Sequence, residues 1–145
     1  MAEIKLTLDQ QKFVDHTSGN VLVSASAGSG KTSTMIKKLN DLIVNGCDLK
    51  QLLVVTYTNS AAAEMKQRLY SELTESLAAE KDDDKKQYIS EQIDTLSNCD
   101  IGTLHSICKK ILSNYFYIIN LDPSFGLISD KEQTYLFDVS LNNVI

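Results

Sequence analysis

The sequence predicts an α/β fold on a parallel sheet, and three observations predict it. Short apolar runs at Val21–Ser24, Leu52–Thr56 and, more weakly, Cys99–Thr103 alternate with stretches of helical periodicity. The run Leu52-Leu53-Val54-Val55-Thr56 is continuous and apolar, as expected of a parallel strand buried on both faces. The first run leads through Ala25-Ser26-Ala27-Gly28-Ser29-Gly30-Lys31-Thr32 into the pattern Met35-Ile36, Leu39, Leu42-Ile43. Strand, Gly-rich turn, Lys-Thr and helix, in that order, make a phosphate-binding loop.

The other elements follow in chain order. Thr7-Leu8-Asp9-Gln10 is a capping box that opens a helix to about His16, and Ser18-Gly19-Asn20 ends it. The helix after the loop runs to about Val44 and closes at Asn45-Gly46. Ser60–Glu75 is expected to be helical, with Asn59 as its cap. Ala79–Gln87 is charged and is expected to be a solvated loop or a helix start, and Tyr88–Leu96 a further helix. Leu104 to about Tyr117 reads as a helix capped by Thr103, and Asp122-Pro123 breaks the chain. Ser129-Asp130-Lys131-Glu132 is a second capping box, opening a helix expected to reach the end. Three strands make a thin sheet for this architecture.

The loop's residue types dictate its chemistry. Glycines let successive backbone N–H groups converge on an anion without a Cβ in the way. The helix N-terminus adds orphan N–H groups and a favourable dipole. Lys31 is a point charge for the β- and γ-phosphates, and Thr32 a hydroxyl for Mg²⁺ held through ATP. The usual pattern begins with Gly, whereas this loop begins with Ala25.

Composition narrows the function. The 145 residues are 43% hydrophobic and 23% charged, an ordinary globular balance. No apolar run approaches bilayer-spanning length, and Met1-Ala2-Glu3-Ile4-Lys5 has no signal core. Cys47, Cys99 and Cys108 are widely spaced and odd in number, which suits a reduced, cytoplasmic protein without disulfides or metal spacing. A net charge of −5 argues against a broadly nucleic-acid-coating surface but permits a local path at Lys66/Arg68 or Lys109/Lys110. Arg68 is the sole arginine, so an arginine finger would have to come from elsewhere. No apolar strand ends in the Asp that holds Mg²⁺ in phosphate-loop enzymes.

Four motifs in order carry a resemblance. Leu6-Thr7-Leu8-Asp9-Gln10 resembles the Q motif of superfamily 1 helicases, and Ala25–Thr32 their motif I. Val55-Thr56-Tyr57-Thr58-Asn59-Ser60-Ala61-Ala62-Ala63-Glu64-Met65 resembles motif Ia of the UvrD-like group, and Gly102-Thr103-Leu104-His105-Ser106-Ile107-Cys108 resembles motif Ib. Within that group, Ser24-Ala25-Ser26-Ala27-Gly28, the long insert between Ia and Ib, and Asn120-Leu121-Asp122-Pro123-Ser124-Phe125 look most like the AddA branch, helicase–nuclease subunits that process DNA double-strand breaks for recombination, and Ser33 also fits that branch.

The resemblance implies a partial RecA-like domain, truncated before the Walker B strand. Residues 1–128 would form the front of domain 1A and residues 129–145 the start of the inserted 1B region. It implies ATP and Mg²⁺ as cofactors. Gln10 would read the adenine edge, Ala25, Ser26, Ala27, Gly28, Ser29, Gly30, Lys31 and Thr32 would hold phosphate, and Lys31 and Thr32 would act catalytically. Tyr57 would stack on single-stranded DNA, with Thr58, Asn59, Thr103, His105 and Ser106 on its backbone. Partners would be DNA ends and an AddB-like subunit, and the fragment is expected to self-associate. Two other classes fit the loop alone: a small phosphate-loop kinase, and a non-enzymatic nucleotide-binding module.

Overall fold

A computed structural model describes residues 6–26, 28–122, 124–126 and 128–142. Helix α1 (Leu8–Asp15) opens on a closed capping box: Thr7 Oγ1 accepts from the Gln10 N–H, and Gln10 Oε1 accepts from the Thr7 N–H at 2.8 Å. Helix α2 (Lys31–Val44) ends in a Schellman turn. Gly46, at φ 99°, donates to the Ile43 carbonyl, and Cys47 donates to that of Leu42.

Strand β1 spans Leu53–Thr56 and leads to α3 (Asn59–Ala79). The cap of α3 is Thr58, one residue before the expected Asn59. Thr58 holds an extended backbone and its hydroxyl accepts from the Ala61 N–H at 3.1 Å, so Asn59 is already helical. Helix α4 (Asp83–Thr95) begins inside the charged stretch, because Asp82 accepts from the N–H groups of Asp84 and Lys85. Strand β2 is Asp100–Thr103, and α5 (Leu104–Tyr115) follows with Thr103 Oγ1 accepting from the Ser106 N–H. Helix α6 (Asp130–Asn142) opens on the second capping box. There the Ser129 N–H and then its hydroxyl hold the Glu132 carboxyl below its ordinary range. Pro123, at the expected chain break, and residues 143–145, at the end of the expected final helix, lie outside the described residues.

Among the described residues the sheet has two strands, not the expected three. β1 and β2 pair in parallel, with Leu53 opposite Asp100, Val54 opposite Ile101, Val55 opposite Gly102 and Thr56 opposite Thr103. Val21–Ser24 is the correction: it carries no ladder, and Leu22 is 97% exposed. Apolar composition makes a segment compatible with a strand, but only a neighbouring strand can satisfy its N–H and C=O groups. The expectation that β1 is buried on both faces also fails. Its burial alternates, with Leu53 and Val55 exposed and Val54 and Thr56 half-buried, because α3 packs against the sheet and those two outward residues remain uncovered.

The core sits between α2, α3, α4 and β2. Helical spacing lines up Ile36, Leu39 and Ile43 on α2 and Met65, Leu69 and Leu73 on α3, which meet Leu49, Ile89 and Ile101. Gln92 accepts there from the Leu49 N–H at 2.8 Å, and Ser76 donates to Asn40 at 3.1 Å, whereas the buried Tyr88 hydroxyl, packed against the core, has no partner among the described residues. Cys99 is buried, and burial raises its thiol pKa, so it behaves as a small apolar residue.

The chain forms two compact units, Met1–Ile107 and Cys108–Ile145. The second contains the later turns of α5, a 3-10 turn at Phe116–Ile119 and α6. Within it, Leu121 donates to the Phe116 carbonyl, and the Phe116 and Tyr117 rings meet edge to face at 5.9 Å. No helix among the described residues is long and apolar enough to cross a membrane.

Candidate functional site

The loop preceding α2 is built to leave donors free. Gly28 (φ 77°) and Gly30 (φ 80°) occupy the left-handed region, where a side chain would strain the backbone. A Cβ on Gly30 would also approach Gln10 Nε2 to 3.4 Å. Gly30 is the N-cap of α2 and offers no side chain to the first turn. The leading N–H groups of α2 therefore have no capping side chain, an arrangement that suits an anion. Thr34 is turned back on the loop, its hydroxyl donating to the Gly30 carbonyl at 2.9 Å.

Lys31 folds over this loop. Its Nζ donates to the carbonyls of Ala25 at 2.7 Å and Ser26 at 2.5 Å. Among the described residues no carboxylate pairs with this ammonium, so a phosphate chain would gain a charge-assisted contact there. Thr32 is exposed on the first turn. Ala27 lies outside the described residues. Ser33, next to Thr32, accepts from Arg68 of α3 at 3.4 Å, and Arg68 is paired with Glu64 at 2.6 Å. That ion pair commits the one arginine of the chain. Among the described residues no cluster of three His, Cys, Asp or Glu could hold a metal ion.

Gln10 is brought to the same loop from α1. Its Nε2 donates to the Ser29 carbonyl at 3.0 Å, while Oε1 serves the capping box. A primary amide has two donors and two acceptor lone pairs, so one of each remains for a ligand edge. Gln10, Phe13, Val23, Ala25, Lys31 and Met35 line an open cleft of about 840 Å³. The amide stands at the loop that also carries the ammonium.

The second group of candidates lies at the carboxyl ends of β1 and β2, the edge where open α/β sheets bind ligands. Thr56 and Thr103 are opposite each other in register, so the segments starting at Tyr57 and Leu104 leave the sheet side by side. Tyr57 is 99% exposed. Thr58 and Asn59 follow at the N-terminus of α3, the Thr58 hydroxyl committed to its cap. His105 is exposed on the first turn of α5. Thr103 is buried, and its hydroxyl lies 2.8 Å from that of Ser106, which also donates to the Thr103 carbonyl. A Cβ on Gly102 would come within 3.0 Å of Ser106 Oγ, so this glycine makes room for that hydroxyl pair. Tyr57 and His105 thus present free side chains, whereas Thr58, Thr103 and Ser106 use their hydroxyls internally.

Comparison with known proteins gives a consistent picture. Residues 6–144 match the family described as UvrD/REP helicase N-terminal domain. The AddA subunit of the ATP-dependent helicase/nuclease from Pediococcus pentosaceus is 41% identical over 136 residues, 94% of this chain and 11% of the relative. Its namesake from Streptococcus mutans is 43% identical over 129 residues, 89% of this chain and 11% of the relative. The one from Latilactobacillus sakei is 39% identical over 132 residues, 91% of this chain and 15% of the relative. The chain therefore spans only a small part of the length of the curated relatives it matches.

Proposed function

Because the chain belongs to the UvrD/REP helicase N-terminal domain family, we propose that it is the nucleotide-binding part of an ATP-dependent DNA helicase/nuclease of the AddA type. The observation that carries this reading is the joint placement of Gln10, the glycine loop and Lys31 at the uncapped end of α2. Residues 1–128 would belong to the RecA-like domain 1A and residues 129–145 to the start of 1B.

In this reading the loop N–H groups and Lys31 bind the β- and γ-phosphates, Gln10 contacts the adenine edge and Thr32 offers its hydroxyl to Mg²⁺. MgATP, when bound, supplies the phosphoryl transfer that drives movement along single-stranded DNA. Tyr57 and His105 belong to the DNA track, with Thr58, Asn59, Thr103 and Ser106 shaping its backbone. The rest of a longer polypeptide supplies the acidic Mg²⁺ ligand and an arginine finger. An AddB-like subunit is its partner at DNA ends in break repair. The family membership and the relatives' names support this; the track rests on the adjacent exits of β1 and β2.

Within such a longer polypeptide, Tyr57→Ala should weaken single-stranded DNA binding by roughly 1–3 kcal/mol, the worth of one base–aromatic stack. DNA-independent nucleotide binding should stay nearly unchanged. Fluorescence anisotropy with a labelled oligonucleotide checks the first, and titration with nucleotide the second. Equal loss of both would assign Tyr57 to packing and remove it from the track.

The 145-residue chain alone is expected to self-associate. Leu22, Leu53 and Val55 in the first unit, and Tyr135 and Phe137 on α6, are exposed, and uncovered apolar surface and strand edges favour association. Static light scattering at micromolar concentration should report a mass above 16.1 kDa. A clean monomer would show that the two-strand core stands unaided.

A further inference from the structure

Helix α1 carries Gln10, yet little holds it in place. It has eight residues, below the length at which a helix is stable alone in water (roughly 12–15), and only Val14 is buried. Its N-terminal half is tied to the loop by the Gln10–Ser29 hydrogen bond. At its C-terminal end the His16 N–H closes on the Phe13 carbonyl at 3.3 Å, and His16 then continues in extended conformation without a left-handed glycine cap.

Lys38 meets that need. It lies on α2, about two turns beyond Lys31, and is half-buried. Its Nζ donates to the Val14 carbonyl at 2.8 Å and to the His16 carbonyl. The same ammonium stands 5.9 Å from the centre of the Phe13 ring. Carbonyl acceptors, the negative end of the helix dipole and an aromatic face all favour a cation here.

We propose that Lys38 is a positioning residue: from the phosphate-loop helix it clamps the C-terminus of α1 and so fixes Gln10 at the base end of the nucleotide cleft. One helix then sets both ends of the ligand, with Lys31 and the α2 N-terminus for phosphate, and Lys38, through α1, for the base. This rests on the nucleotide reading above and adds how base recognition is coupled to the loop. The hydrocarbon stem and the ammonium separate in effect. Removing the charge loosens α1 but leaves the first turn of α2 and Lys31 untouched.

The test uses the 145-residue chain and two probes, MgATP and inorganic tripolyphosphate, with Lys38→Met, Lys38→Arg and Gln10→Ala. Calorimetry should show Lys38→Met lowering affinity for ATP about tenfold, the order expected when a charged hydrogen-bond donor is lost. Tripolyphosphate affinity should hold within about twofold, since its site keeps every donor. Gln10→Ala should reproduce that selective loss, and Lys38→Arg should restore it. Hydrogen exchange should be faster across residues 8–15 in Lys38→Met and unchanged in α3. If Gln10→Ala lost the ATP preference while Lys38→Met kept it, the positioning role would fall and the nucleotide reading would stand. If Lys38→Met lost both probes equally, Lys38 would be a general stability residue and the proposal would fall. If the wild-type chain bound ATP no better than tripolyphosphate, the base-reading role of Gln10 would fall, and the proposal with it.

Discussion

The isolated 145-residue chain is expected to turn over ATP roughly 10³- to 10⁵-fold more slowly than a full-length relative, the range attributed to an arginine finger alone. The physical ground is what surrounds Thr32. Among the described residues there is no acidic cluster to complete a Mg²⁺ shell, and Arg68 is spent on Glu64 and Ser33. Phosphoryl transfer depends on positioning and on charges aimed at the equatorial oxygens, so a loop that binds without those partners holds substrate and does little chemistry. Steady-state phosphate release measured with saturating MgATP checks this. Turnover near one per second that disappears in Lys31→Ala would mean that the chain already contains the missing groups.

The second large effect concerns Lys31 within the longer polypeptide. Lys31→Ala should lower ATP turnover by about 10²–10³, the usual loss when one preorganised electrostatic donor is removed. The fold should survive, because among the described residues Lys31 donates only to the Ala25 and Ser26 carbonyls of an exposed loop and is not part of the core. A thermal melt beside the activity assay separates the two. Loss of activity accompanied by an unchanged melt supports a charge role; retained activity would remove Lys31 from the site.

Elements that close their own hydrogen bonds locally are legible in the residues. The capping boxes at Thr7 and Ser129, the Asn45-Gly46 stop and the Thr103 cap all depend on side chains within a few positions, and each is formed. The start of α3 marks the limit of that reasoning. Adjacent Thr58 and Asn59 are both competent caps, and only the backbone decides which one stays extended. Val21–Ser24 departs from expectation for a different reason. Its composition suits a strand, but a strand exists through its neighbour, and no described residue pairs with it. The one-sided burial of β1 is likewise set from outside the strand, by α3 packing on the sheet while Leu53 and Val55 stay uncovered.

The candidate site divides along similar lines. The glycine loop announces itself because each residue type has one geometric purpose at its position. Gln10 is visible through a motif, whereas its bond to the Ser29 carbonyl is a contact across nineteen residues that no pattern encodes. Lys38 carries no signal in the sequence. It is one of two adjacent lysines on an amphipathic helix, and its partners at Val14 and His16 belong to another part of the chain. Thr103 and Ser106 show the converse: their motif suggests exposed hydroxyls, and the fold turns them toward each other.

The most direct measurement is backbone amide chemical-shift mapping of the ¹⁵N-labelled chain as MgATP is added. The N–H resonances of Gly28, Gly30, Lys31 and Thr32 and the Gln10 side-chain amide should shift together and saturate along one binding curve, while those of Leu69 and Ile89 in the core stay in place. Saturable shifts confined to another surface, or none at millimolar nucleotide, would contradict the assignment of this loop as the nucleotide site.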